Sequence, residues 1–163
     1  MPWRDIPLRA WFAALALGVF GLVLVGLAMQ QMWRLAPCPL CIFQRLLDLV
    51  VGGVALLGVL APVARRLWAL LIGLVAAGGV AVAGYQSWMQ AFPHLAPECS
   101  YTDPNAIERL VDWLGMAWPS LFLATGFCTS REWEFLAMSM ANWSARILAG
   151  LLGYAALLYR YRG

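Results

Sequence analysis

Residues 10–33 read AWFAALALGVFGLVLVGLAMQQMW, twenty-four residues without a charge. As an α-helix this stretch is about 36 Å long at 1.5 Å per residue, enough to cross a hydrocarbon core of about 30 Å with its backbone polar groups satisfied internally. The rest of the chain has the same character. Of 163 residues, 63% are hydrophobic and 12% charged, and the mean hydropathy of +0.76 lies outside the range of a soluble globular chain. These values imply an all-α integral membrane protein. Nine Trp suit a chain with much surface at the boundary between membrane and water.

Three more windows follow outward from the first. Spans are expected at about 10–30, 41–62, 67–90 and 143–160, giving a four-transmembrane-helix bundle in which residues 1–163 form a single membrane domain. Arg45 and Asp48 are confined to the first two turns of the second span. Gly73, Gly78, Gly79 and Gly84 would let a neighbouring helix approach the third closely. Arg146 in the fourth must snorkel or find a partner. The arginines before the first span resemble a signal peptide, but its apolar run exceeds the usual length of about 7–15 residues and no A-x-A site follows. It reads as a retained helix. Residues 110–127 are also apolar, yet Asp112, Gly115, Pro119 and Gly126 make a poor spanning helix, and a loop lying on the membrane is expected instead.

The positive-inside rule orients this bundle. Arg4 and Arg9, Arg65 and Arg66, and Arg160 and Arg162 all fall on one side, the cytoplasmic side, with both termini. Loops at about 31–40 and 91–142 then face the opposite, oxidising side and collect Cys38, Cys41, Cys99 and Cys128. The net charge is +3, but no basic run is longer than Arg65-Arg66, which argues against nucleic acid. The four cysteines permit three pairings. Two structural staples, a pair of exchanging disulfides and a four-thiolate zinc site are all open on spacing alone, although the second closely spaced pair of a zinc ribbon is missing. No metal site is assigned.

Residues 37–45, PCPLCIFQR, carry the densest chemistry. Pro37 and Pro39 disfavour helix at the residues before them, so the first helix should end before Ala36 and the second should start at or just after Pro39. Cys41 then sits in the first turn, where unpaired N–H groups and the helix dipole favour a thiolate. Arg45 lies one turn deeper on the same face. It either neutralises Asp48 or snorkels, or else it stabilises the anionic reduced form of a lipid-soluble oxidant. A quinone fits the last reading, because it accepts the two electrons that a dithiol gives up in forming a disulfide. Arg45, Gln44 and Gln86 are the candidate quinone-binding residues, with Tyr85 beside Gln86. No nucleotide fingerprint or haem C-x-x-C-H competes for the redox role.

In the long loop, Asp103 and Pro104 read as N-cap and N1 of a short helix with Ile107, Leu110, Val111 and Leu114 on its apolar face and Gly115 at its end. After Cys128, Thr129 and Glu132 form a capping-box pattern, and Trp133, Leu136, Ala137 and Met140 recur on one side. This predicts a short interfacial helix that tethers Cys128 near the membrane. Pro93, Pro97 and Pro104 bracket Cys99, so LAPECSY at 95–101 reads as an extended segment that another protein could bind. His94 reads as a solvated loop residue.

PCPLCIFQR after the first span, with PEC (97–99) and ATGFCTSREWEFLAM (124–138) between the third and fourth, resembles the DsbB family of bacterial disulfide-generating membrane proteins. The resemblance covers nearly the whole chain. It implies a thiol:quinone oxidoreductase of the inner membrane that reoxidises a periplasmic DsbA-like thiol oxidase and passes electrons to ubiquinone or menaquinone. Carried over, Cys99 forms the mixed disulfide with the partner and Cys128 is its original mate. Cys128 then attacks Cys38, and the freed Cys41 thiolate meets the quinone with Arg45 stabilising the charge. One departure is that Gln86 stands where a well-known member has a histidine, so that histidine's role does not transfer. Vitamin K epoxide reductases share the logic but place C-x-x-C in a later helix. The other alternative is a scaffold or receptor with purely structural loop disulfides.

Overall fold

The computed structural model describes residues 7–95, 104–131, 133–136 and 138–160, so Cys99 and its neighbours at 96–103 lie outside the described residues. The chain is mostly helical. Helix α1 covers Leu8–Met32, α2 Pro39–Leu60, α3 Arg65–Ala91, α4 Ala106–Ala117, α5 Pro119–Phe122 and α6 Met140–Arg160, with a 3-10 turn at Pro62–Ala64 leading into α3. Two-residue strands β1, Glu134–Phe135, and β2, Met138–Ser139, pair antiparallel just before α6.

Three segments, Leu8–Met32, Pro39–Leu60 and Pro62–Ala91, are long and apolar enough to cross a membrane. Their outward faces are apolar too. Leu17 is 75% exposed, Leu24 65% and Leu74 62%, on helices whose opposite faces are fully packed. Helices apolar all round belong in lipid, because in water such surface would drive association.

Their inward faces meet in one apolar core. Phe12 and Val19 of α1, Val51 of α2, Ile72 and Ala76 of α3, and Leu148 of α6 are all buried in it. The α3–α6 pair is the most extensive helix contact. Gly79 is one reason for this closeness, since a Cβ there would lie 2.8 Å from Leu148 Cδ2. Gly73 also faces α6, at Ala155, whereas a Cβ at Gly78 or Gly84 would meet nothing within 4 Å. Only two of the four glycines therefore serve close packing. Gly58 plays the same part between α1 and α2, where a Cβ would press on the ring of Phe12. Arg146 is exposed on the outer face of α6.

The long loop departs from expectation in two ways. The first helix begins later, with Asn105 as its N-cap and Glu108 closing a capping box, and it runs past Gly115 to Ala117. The second expected helix, after Cys128, does not form. The β1–β2 hairpin stands there, with Leu136 in left-handed backbone at φ 52°; Glu132 and Ala137 lie outside the described residues. The physical reason is anchoring to α3. Gln90 Nε2 donates to Ser130 O at 3.0 Å, Arg131 Nη2 donates to Gln90 O at 3.2 Å, and Ser139 Oγ donates to Gln90 Oε1 at 2.6 Å. These bonds hold both ends of the segment against one residue, and tertiary contacts outweigh a local capping pattern worth about 1 kcal/mol.

Candidate functional site: a thiol pair opening on a membrane cavity

The two prolines do what their chemistry dictates. Pro39 takes the N1 position of α2, and Cys38 is the N-cap in extended backbone, its sulfur accepting the Cys41 amide N–H at 3.4 Å. A cysteine sulfur thus stands where an oxygen usually caps. Cys41 falls in the first turn, and the Cys38 thiol donates to Cys41 Sγ at 3.0 Å. The second loop arrives beside this pair. Thr125 and Gly126 donate their backbone N–H groups to Pro37 O at 3.0 and 3.1 Å, and a Cβ at Gly126 would collide with the carbonyl oxygen of Ala36. That close approach brings Cys128 into one buried apolar cluster with Cys38, Leu40 and Met89.

Cys38 and Cys128 lie together in that cluster, each thiol acting on the other. The neighbouring Cys128 thiol, the hydrogen bond to Cys41 and burial push the Cys38 thiol well above the ordinary thiol range, which favours the protonated form.

Behind the sulfurs lies a polar relay in an otherwise apolar wall. Gln86 of α3 donates through Nε2 to Cys38 Sγ at 3.2 Å and to Cys41 Sγ at 3.0 Å, while Gln44 Nε2 donates to Gln86 Oε1 at 2.9 Å. Both glutamines are buried. Of the candidate quinone residues Gln86 therefore touches both thiols, and Gln44, bonded to Gln86, fixes which end of its amide faces sulfur. Arg45 donates to Leu121 O at 2.6 Å and to Gln30 Oε1 at 2.7 Å. Among the described residues the ion pair within 4 Å is Arg131–Glu134, so Arg45 is not neutralised by contact with Asp48. Tyr85 and His94 are exposed and turn away from this site; Tyr85 stacks on Trp88 instead.

These groups share a cavity of about 300 Å³. Its apolar wall includes Leu22, Val25 and Met29 of α1 and Trp143 and Ile147 of α6, and its polar lining includes Cys38, Cys41, Gln44, Arg45, Asp48 and Gln86. Helix periodicity accounts for the set, because Cys41, Gln44, Arg45 and Asp48 occupy one face of α2 at spacings of three and four. The opposite face, through Ile42, Leu46 and Leu49, packs against α4 and α5. Gln30 and Gln90 also line the cavity and were missed from the sequence. Their signal was available: each is a polar residue at the same end of an apolar helix as the cysteines.

The sequence model for Disulfide bond formation protein DsbB matches residues 8–158. The chain belongs to the DsbB family. It is 64% identical over 154 residues to Disulfide bond formation protein B of Dechloromonas aromatica (strain RCB), covering 94% of this chain and 93% of that one. It is 37% identical over 158 residues to the protein of the same name from Nitrosomonas europaea, with 95% of each chain covered. Against that of Azoarcus sp. (strain BH72) it is 36% identical over 139 residues, covering 83% and 82%. As a DsbB-family chain it is a membrane oxidoreductase that generates disulfides, which sets aside the scaffold and vitamin K epoxide reductase readings.

Proposed function

We propose that this chain reoxidises a periplasmic thiol oxidase of the DsbA type and passes the electrons to a membrane quinone, ubiquinone or menaquinone. The observation that carries this reading is the placement of Cys38 and Cys41, 3.0 Å apart, at the mouth of an apolar cavity with Arg45 in its wall. The fit to a quinone rests on chemistry. The cavity of about 300 Å³ borders lipid-facing helices, it offers a cationic donor in Arg45, and it contains a buried polar atom, Asp48 Oδ1, with no partner among the described residues. A bound quinone would supply a two-electron, two-proton acceptor beside the Cys41 sulfur.

The chain's own residues then act in order. A partner thiolate attacks Cys99 of a Cys99–Cys128 disulfide, forming the mixed disulfide and releasing Cys128. Cys128 attacks Cys38 of the Cys38–Cys41 disulfide, so Cys41 leaves as a thiolate. The burial of Cys128 and Cys38 in one cluster supports this step, because the attacking and attacked sulfurs are already neighbours. The partner's second thiol resolves the mixed disulfide, Cys99 reclaims Cys128, and Cys38 and Cys41 remain as the dithiol to be reoxidised. Gln86 steadies the Cys41 thiolate, and Arg45 holds negative charge one turn deeper.

The reading includes α6 as a fourth span. Its 21 residues make about 31 Å of helix, and it packs along α3 in the bundle core. The arginine clusters support an inner-membrane protein with both termini cytoplasmic and both cysteine loops periplasmic. Thiol trapping tests the whole scheme. Cys128→Ser should accumulate a mixed disulfide with reduced partner through Cys99. Quinone-loaded Cys99→Ser that still oxidised the partner at the wild-type rate would refute the relay.

A further inference from the structure

Among the described residues Asp48 is the acid on the cavity wall, half-buried, that the scheme above leaves unused. It follows Cys41 by seven residues and Arg45 by three, so it sits about 10 Å deeper than Cys41 along α2, on the same face. Its Oδ1 is buried from solvent and has no hydrogen-bond partner among the described residues. No ion pair within 4 Å joins it to Arg45, whose terminal nitrogens donate to Leu121 O and Gln30 Oε1, so the Arg45 charge acts on it only through space. The other titratable or charged groups lining the cavity are Cys38, Cys41 and Arg131. From α1, α3 and α6 the polar residues that reach it are neutral, among them Gln30, Gln86, Gln90 and Ser144. On α4, across the other face of α2, Glu108 accepts the Asn105 N–H and Asp112 is exposed.

A carboxylate with an unsatisfied buried oxygen in such a wall is costly, whereas a carboxyl carrying its proton costs less and becomes a hydrogen-bond donor. From this we infer that Asp48 is the proton donor of the deep end of the cavity: it hydrogen-bonds the far oxygen of the bound quinone and delivers one of the two protons of reduction. The inference rests on the quinone reading above. The step balances as follows. The S–H bonds of Cys38 and Cys41 break, one S–S bond forms, and the electron pair passes to the quinone, which leaves as quinol with two new O–H bonds. One thiol proton goes to the near oxygen and Asp48 gives its proton to the far one. The second thiol proton goes to solvent, and Asp48 recovers a proton from solvent after release.

The test uses full-length protein in bilayers with a short-tailed benzoquinone as the probe. Binding is read by Trp fluorescence quenching and the state of the carboxyl by infrared difference spectra with and without the probe. The wild type should show the carbonyl stretch of a protonated carboxyl that shifts on binding, and Asp48→Asn should lack it. Asp48→Asn keeps a donor and should bind within about threefold of wild type, yet reoxidise Cys38 and Cys41 at saturating quinone at least about tenfold more slowly. Asp48→Leu removes the hydrogen bond and should bind about tenfold more weakly. Wild-type affinity in Asp48→Leu, or a wild-type spectrum with no carboxyl band responding to the probe, overturns the inference while leaving the quinone site standing. A wild type that does not bind benzoquinone at all overturns both.

Discussion

Replacing Gln86 by Leu removes the one amide that touches both reactive sulfurs and keeps nearly the same volume. Two N–H···S bonds, a buried one at 3.2 Å and a part-buried one at 3.0 Å, are lost. A hydrogen bond to a charged acceptor contributes about 1.5–3 kcal/mol, and sulfur is a weak acceptor, so about 1.5 kcal/mol of Cys41 thiolate stabilisation should disappear, roughly a tenfold effect. The assay is the rate of alkylation of Cys41 by a small membrane-permeant reagent in Cys38→Ser protein, with and without Gln86→Leu, at a pH where little of the thiol is ionised. A drop of about tenfold is expected. The same substitution leaves the Gln44 amide without its acceptor, which adds about 1–3 kcal/mol of instability. Pairing it with Gln44→Leu should recover most of the stability but none of the reactivity. Unchanged alkylation in Gln86→Leu, with the fold intact, would refute the assignment of Gln86 to the thiolate and return both glutamines to ordinary packing.

Arg45→Leu strips donors from Gln30 Oε1 and Leu121 O as well as removing the charge, and should raise the apparent KM for quinone by about tenfold or more while leaving the KM for the partner within about twofold. Arg45→Lys should rescue only in part, because one ammonium cannot reproduce both guanidinium contacts. Gly126→Ala forces a Cβ against the Ala36 carbonyl and displaces Cys128. Crosslinking of Cys38 to Cys128 should slow by about a hundredfold, the scale of a 1 Å misplacement, while direct oxidation of the Cys38–Cys41 dithiol by quinone is unchanged. Gly79→Val overpacks the α3–α6 contact at Leu148 and should cost about 1–3 kcal/mol, read as a lower midpoint of thermal unfolding in detergent.

Much of this molecule was legible in its sequence for simple physical reasons. An uncharged run such as 10–33 has few alternatives to a spanning helix, because only internal hydrogen bonding satisfies a backbone in hydrocarbon. Pro37 and Pro39 fix the end of one helix and the start of the next through missing donors and steric exclusion. Those two facts place Cys41 in a first turn and line up Cys41, Gln44, Arg45 and Asp48 by the 3.6-residue period alone.

What local pattern could not settle was every question about partners from distant segments. The capping pattern after Cys128 promised a helix, but Gln90 holds that segment as a hairpin. Arg45 and Asp48 are three apart and of opposite sign, yet Arg45 turns instead to Gln30 and Leu121, 15 and 76 residues away. Gln86 lines the cavity, and the packing of α3 on α2 aims its amide at two sulfurs, contacts that no local pattern specifies. Composition and periodicity thus determined the membrane class, the helix starts and the face that carries the chemistry, because those depend on backbone solvation and helical geometry. Which atoms meet on that face was decided by tertiary structure, because a polar group in an apolar interior takes whichever partner the packing brings within reach.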